Sequence, residues 1–440
     1  MFNHDARFRF NSPRPETFSI LTVVALKIIH FILLFLWLTP LAAVIAGPLR
    51  PEAYVWQRTW NGPVRDAVMQ HAPAFAGLVV LKAEVSWRNG QPEVARVAVD
   101  YATLTNAPKP AGFALRIGAF AGLFATNDSQ ANFLADLAAS LVAEARTNHL
   151  PLAELQIDFD CATAKLGGYK LWLAAIRRKI SPVPLTITVL PSWLDAPDFK
   201  PLAALSPNYV LQVHSLERPT DFAAPFTLCD PLAARQAVER AGQIGVPFRV
   251  ALPTYGYVMA FNRAGKFISL SAEGPRKDWP AGVQLREVRA DPVALAALVQ
   301  AWTTNRPAAL NGVIWYRLPV VVDNLNWRWP TLGAILAGHS PRESLRATTR
   351  RVEPGLVEIS LANDGELDHP SRLVVEVRWS NARLVAGDGL RDFELAEQKS
   401  SVVKFQTRSS FSRLPAGETQ TIGWLRFDHD CEVQIELEKN

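Results

Sequence analysis

The sequence predicts an α/β fold: a (β/α)8 TIM-like barrel followed by a small C-terminal β-sandwich. From about residue 52 to 336, short apolar runs alternate with segments of helical periodicity. Eight such runs can be counted, the number that closes a parallel barrel. After about residue 345 helical periodicity stops, and short β-type runs separated by turn residues take over. A doubly wound open sheet is the alternative for the first part, but no glycine-rich phosphate loop follows the first strand.

The chain begins with a polar stretch carrying Arg7, Arg9 and Arg14. Ile20 to Ala46 is then dominated by apolar residues, and Ile28 to Ala46 is long enough to span most of a bilayer. Basic residues precede it, which predicts a cytoplasmic N-terminus. Val44-Ile45-Ala46 before Gly47 fits a signal-peptidase site. Residues 1–47 are therefore expected to be a signal peptide or an uncleaved membrane anchor, with the rest exported, either periplasmic or held at the inner membrane.

The expected barrel occupies 48–340. Its strands are Ala53–Gln57, Leu78–Trp87, Gly112–Phe120, Leu155–Asp160, Leu185–Leu190, Tyr209–His214, Phe248–Leu252 and Gly312–Tyr316. Helices are expected at Gln130–Asn148, Tyr169–Ile180, Pro231–Ile244 and Pro292–Thr303. Residues 254–288 form a long excursion with a hairpin around Asn262-Arg263-Ala264-Gly265. In the expected sandwich, 345–440, strands fall at Val357–Leu361, Arg372–Trp379, Val402–Thr407, Thr421–Phe427 and Val433–Leu437. Asn363-Asp364-Gly365, Ala386-Gly387-Asp388-Gly389 and Pro415-Ala416-Gly417 read as turns.

Composition narrows the function classes. The net charge of +5 comes from scattered basic residues, with short clusters such as Arg177-Arg178-Lys179, and no nucleic-acid motif appears. Cys161, Cys229 and Cys431 lack metal-type spacing, as do the isolated His71, His149 and His339. Neither a metal nor another cofactor is expected. Thirteen tryptophans, several beside strand ends, could pack the core or stack on sugar rings.

In a barrel of this kind functional groups gather at the C-terminal ends of the strands. The central stretch is Leu155-Gln156-Ile157-Asp158-Phe159-Asp160. Strand alternation puts Gln156, Asp158 and Asp160 on one face, neighbours about 6.5–7 Å apart. Glu84, Arg116, Trp193, His214, Tyr255, Trp315, Tyr316 and Arg317 lie near other strand ends. Paired carboxylates, a guanidinium and aromatic planes suit glycoside hydrolysis, which needs one carboxylic acid and one ionised group. Like-charge coupling between Asp158 and Asp160 would raise one pKa, as a general acid requires. The competing reading is an ion-pair network with Arg116 that only sets the barrel layers. His214 with Ser215 lacks a nucleophile elbow, so a hydrogen-bonded strand histidine is preferred to a hydrolase triad. The loop Asp323 to Trp329 is expected to join the domains rather than cap the barrel mouth.

Gln156-Ile157-Asp158-Phe159-Asp160 resembles the Asp-x-Asp-x-Glu strand of family 18 glycoside hydrolases, the chitinase-like barrels, with Gln156 at the first Asp and Asp160 at the general-acid Glu. Val210-Leu211-Gln212-Val213-His214-Ser215 resembles that family's Met-x-Tyr-Asp segment, with His214 and Ser215 in place of Tyr and Asp. Ile244-Gly245-Val246-Pro247-Phe248, followed by Thr254-Tyr255-Gly256, is similar to its Gly-x-Pro-x-Tyr-Gly stretch, and Gly312-Val313-Ile314-Trp315 to its eighth strand. A broader resemblance, over most of 52–340, is to the uncharacterised bacterial family "domain of unknown function 3142". It is carried by the Leu155–Asp160 strand, by Leu185 to Leu194, and by Val250 to Tyr257. The resemblance to chitinase-like barrels implies a carbohydrate ligand. Its catalytic set is Asp160 as acid, Asp158 as electrostatic partner, and Glu84. Its substrate-binding set is Arg116, Gln156, Trp193, Gln212, His214, Tyr255, Trp315 and Tyr316. The replacements at Gln156, His214 and Ser215 leave a non-catalytic glycan-binding or envelope-assembly protein as the alternative.

Overall fold

Side-chain alternation along the strands decides what fills this barrel. The computed structural model describes residues 49–125, 128–272, 279–370, 373–408 and 413–438. The apolar stretch Ile20–Ala46 lies outside them. Among the described residues no helix is long and apolar enough to cross a membrane.

Strands of the first region are β1 (Arg50–Val55), β2 (Gly77–Arg88), β3 (Gln91–Arg96), β4 (Ala111–Ile117), β5 (Leu152–Phe159), β6 (Leu185–Val189), β7 (Tyr209–Gln212), β8 (Phe248–Pro253), β9 (Gly256–Phe261), β10 (Phe267–Ser271), β11 (Gln284–Arg289) and β12 (Leu310–Tyr316). The parallel order β1-β12-β8-β7-β6-β5-β4-β2 closes through β1–β2 pairing, giving an eight-stranded (β/α)8 barrel. β3 folds back antiparallel on β2, an addition with no clear apolar alternation to predict it. The excursion after β8 is a three-stranded sheet ordered β10-β9-β11, with its turn at Asn262 to Gly265.

The helices are α1 (Gly62–His71), α2 (Tyr101–Asn106), α3 (Ser129–Thr147), α4 (Leu166–Ile180), α5 (Phe199–Ala203), α6 (Pro231–Ile244), α7 (Pro292–Thr304) and α8 (Trp329–Leu336). Their starts follow from local chemistry. Asp230 and Asp291 each precede a proline and accept backbone N–H groups of α6 and α7. Asp128 caps α3 in the same way. Gly245 ends α6 at φ +79°, a left-handed conformation that glycine adopts without strain.

The barrel interior holds charge at its base. Glu52, Glu154 and Arg249 point inward, opposite inward glycines. A Cβ on Gly112 would lie 2.8 Å from Glu154 Cγ, and one on Gly312 would lie 2.7 Å from the Arg50 carbonyl and 3.5 Å from Arg249 Cγ. Arg249 forks onto Glu154 at 2.9 and 2.7 Å, and also pairs with Glu52.

The C-terminal region is antiparallel throughout: β13 (Leu345–Glu353), β14 (Leu356–Asn363), β15 (His369–Pro370), β16 (Val374–Trp379), β17 (Leu384–Gly389), β18 (Phe393–Lys399), β19 (Val402–Thr407), β20 (Arg413–Leu414), β21 (Thr419–Phe427) and β22 (Val433–Glu438). Two four-stranded sheets, β13-β14-β21-β17 and β18-β19-β16-β22, enclose a core of their own around Ile359, Val375, Phe405 and Leu425. The expected strand start at Arg372 lies outside the described residues. The expected turn Ala386 to Gly389 is instead part of β17. Its glycines answer close approach, not turning: a Cβ on Gly387 would meet Leu425 Cδ2 at 2.7 Å, and one on Gly389 the Phe393 carbonyl at 2.3 Å. His339, just after α8, bonds Glu366 at 3.0 Å, and Arg413 pairs with Glu287 at 3.2 Å, so the two regions meet through polar contacts.

Candidate functional site

Register builds the barrel mouth. Glu84 on β2 pairs with Arg116 on β4, and Arg116 pairs with Asp158 on β5. In a parallel sheet such partners share a face, so an acid, a guanidinium and an acid form one row at the C-terminal strand ends. Glu84 belongs there only because β2 is irregular. Strict alternation from Val79 and Leu81 would turn Glu84 outward; a register shift between Leu81 and Ala83 resets the parity. Lys82, at that shift, is buried outside the barrel and bonds Glu144 at 2.7 Å.

Each member of the row has a defined partner. Arg58 grips Glu84 through two bonds of 2.6 and 2.8 Å. Asp158 is mostly buried and accepts from Thr188 Oγ1 at 2.8 Å; Arg116 Nε lies 4.0 Å from its other oxygen. Burial raises the pKa of Asp158, with help from the charges of Asp160 and Glu84, while Arg116 and the Thr188 hydroxyl oppose the shift. Burial works against the charged form of Arg116, but Asp158, Tyr316, Asp160 and Glu84 together raise its pKa, so it stays charged. Asp160 lies just past the end of β5 and is exposed. The mouth thus offers a sheltered carboxyl inclined to hold its proton beside an accessible one, arranged around a permanent cation.

The other predicted residues divide into two groups. Tyr316 points inward from β12, half-buried, with its ring centroid 5.1 Å from Trp56, 5.3 Å from Tyr255 and 5.6 Å from His214. Gln212 stands at the end of β7, its side chain on the His214 carbonyl at 3.3 Å. The second group is withdrawn into the protein. Trp315 follows the opposite parity to Ile314 and Tyr316, so it faces away from the mouth, 1% exposed and packed on Trp327. It was expected in the substrate-binding set, and strand parity turns it away from the mouth. Trp193 is fully buried, and its indole N–H donates to the Cys161 carbonyl at 3.0 Å. Gln156 is fully buried one layer below Asp158, accepting from Tyr54 and donating to Glu154. None of these three side chains lines the mouth.

His214 and Tyr255 are also buried, in a hydrogen-bonded chain. Ser215 Oγ meets Tyr257 Oη at 2.5 Å, Tyr257 meets Tyr255 at 3.1 Å, and Tyr255 meets His214 Nδ1 at 3.3 Å. Ser215 bonds tyrosine rather than His214, which fits no Ser–His pair. Burial pushes the His214 pKa down to about 3 and keeps the ring neutral. Arg317 is buried on Asp323, and the following loop bonds back through Asn326 and Trp327. This loop therefore packs beside the strand ends before leading into α8.

Sequence reasoning did not single out Trp56. It is buried against Tyr54 and Tyr316, and its indole N–H has no acceptor among the described residues. Such a donor calls for an explanation, and only its proximity to Tyr316 sets it apart from the equally unpaired indoles of Trp60, Trp87 and Trp302. No group of three or more His, Cys, Asp or Glu side chains suited to a metal occurs among the described residues. The three cysteines are unpaired.

Residues 114–321 match the family model of a domain of unknown function, DUF3142, and residues 346–428 match a second, DUF8456. No curated protein matches the chain. The fold is similar to solved structures of the spore cortex-lytic enzyme SleL from Bacillus megaterium QM B1551 (13% identity, 67% of this chain and 75% of that one, TM-score 0.48) and from Bacillus cereus (13%, 67% and 75%, 0.47). It is also similar to a chitinase from Chromobacterium violaceum ATCC 12472 (13%, 66% and 98%, 0.46).

Proposed function

We propose, with residues 114–321 read as a DUF3142 domain, that the barrel is an exported glycoside hydrolase-like site acting on a carbohydrate polymer. The row Glu84–Arg116–Asp158, with Asp160 exposed two residues further on, is the observation that carries this reading. Acid-assisted glycoside cleavage needs one group that delivers a proton and one that stays ionised near the developing positive centre. Asp160, accessible from solvent, is assigned the proton transfer. Asp158, Glu84 and Arg116 set the field around it. Tyr316 offers a partly open aromatic plane for a sugar's apolar face, and the Trp56 N–H a donor for a hydroxyl. Export rests on the apolar stretch Ile20–Ala46.

The test is a screen of glycan polymers for release of reducing ends, followed by Asp160→Asn on any substrate found. Loss of turnover by about a hundredfold or more, with glycan retention kept, is expected. Unchanged turnover would remove Asp160 from the acid role.

A second reading, a non-catalytic glycan-binding or envelope-assembly barrel, is favoured by one specific observation. Trp315, Trp193, His214 and Tyr255 are buried and engaged elsewhere, so few aromatic planes face the mouth. This reading expects retention on a glycan column without product release from any polymer retained.

A further inference from the structure

The opposite pole of the barrel carries a feature unrelated to the mouth. Helices α3 and α4 run antiparallel to the strands, so their last turns lie beside the strand N-termini. Arg146 ends α3, and Arg177, Arg178 and Lys179 end α4. Lys109 stands just before β4 at the same pole. Lys179 pairs with Asp136 at 2.6 Å, whereas Lys109, Arg146, Arg177 and Arg178 make no ion pair among the described residues. The acids nearby are already committed. Glu52 and Glu154 face Arg249 inside the barrel, and Glu144 holds Lys82, Arg96 and Tyr101.

Arg177 and Arg178 also border an open cleft of about 800 Å³, between the turn from α4 into β6 and the turn from α5 into β7. Its other walls are short and largely apolar, including Pro182, Val183, Leu205 and Pro207. Cations around a shallow apolar cleft suit a phosphate headgroup whose glycerol and first methylenes can lie against the prolines.

We propose that the N-terminal pole of the barrel docks on an anionic phospholipid surface, with Arg177 and Arg178 as its headgroup contacts. This is independent of any activity at the mouth. The experiment offers the full-length chain neutral phosphatidylcholine vesicles and vesicles doped with phosphatidylglycerol, and reads the ratio of partitioning. Any contribution of the apolar stretch common to both vesicle types cancels in that ratio. Preference for anionic vesicles is expected, and Arg177→Glu/Arg178→Glu should cut the ratio by about tenfold or more, as loss of two surface cations implies. Arg177→Gln/Arg178→Gln should give a smaller drop, and unchanged thermal unfolding of both variants excludes misfolding as the cause. Equal partitioning, or a preference that survives charge reversal, overturns the proposal. So does displacement by millimolar inorganic phosphate, which would mark a small-anion site instead.

Discussion

Thr188 Oγ1 donates a 2.8 Å hydrogen bond to Asp158, the carboxyl that ends the row on β2, β4 and β5. That bond favours the ionised form, in opposition to burial, which is the main cause of the raised pKa. Thr188→Val keeps the shape and removes the donor, so the Asp158 pKa should rise further. Carboxyl titration followed by NMR would report it; an unmoved titration means that the hydroxyl does not tune this group. The linkage sign gives a companion outcome. A folded-state pKa above the unfolded value favours folding at low pH, and that contribution is lost as pH rises through the folded pKa. Asp158→Asn should therefore gain stability on the wild type as pH rises through that range, whatever it does to activity.

The base of the barrel behaves differently. Arg249 is buried between Glu52 and Glu154, so Arg249→Met leaves two carboxylates sharing a site without their cation. Breaking a buried pair from one side costs about 3–5 kcal/mol. Urea unfolding should show a loss of that order. The triple variant Arg249→Met/Glu52→Gln/Glu154→Gln should recover much of it, because the uncompensated charges are gone. A single variant as stable as the wild type would mean that the network relaxes into solvent.

His214 gives a prediction about acid. Its folded pKa of about 3 lies below the ordinary value of 6.5, because burial disfavours the imidazolium. The unfolded chain takes up that proton first, so the stability tied to His214 is complete above about pH 6.5. It is lost progressively as pH falls toward 3. His214→Phe cannot take up the proton, and its melting temperature should fall less steeply between those limits. Parallel melting curves for the two proteins across that range would contradict this account.

Which parts of this architecture could be read from the residues depends on how local their causes are. Asp230-Pro231 and Asp291-Pro292 announce helix starts within two positions, and α6 begins where expected. Strands β5 and β8 stood out as apolar runs. Facing direction is another matter. Glu84 enters the mouth through an irregularity between Leu81 and Ala83 that no local pattern signals. Trp315 and Tyr316 were both expected in the substrate-binding set, yet parity counted from the inward Gly312 turns only Tyr316 toward the mouth. The charged base also escaped notice, since Glu52, Glu154 and Arg249 lie far apart in the chain and meet only on closure. Gly112 and Gly312, placed opposite them, are the sequence trace of that layer.

The same parity separates two tryptophans that look alike in sequence. Trp315 packs outside the strands on Trp327, so Trp315→Ala should cost about 3–5 kcal/mol of stability through the cavity it leaves. Trp56 stands inside, against Tyr316, with an unpaired N–H. Trp56→Phe removes that donor while keeping an aromatic plane. It should weaken glycan retention about tenfold if the N–H meets a sugar hydroxyl, since a hydrogen bond in a desolvated site is worth roughly 0.5–1.5 kcal/mol and occasionally more. The melting temperature should hold or rise slightly, because a buried donor without an acceptor is removed. Affinity chromatography on the retained polymer and a thermal melt on the same preparation distinguish the two roles. Retention unchanged in Trp56→Phe, with a lower melting temperature, would make Trp56 a packing residue like Trp315 and leave Tyr316 as the aromatic contact at the mouth.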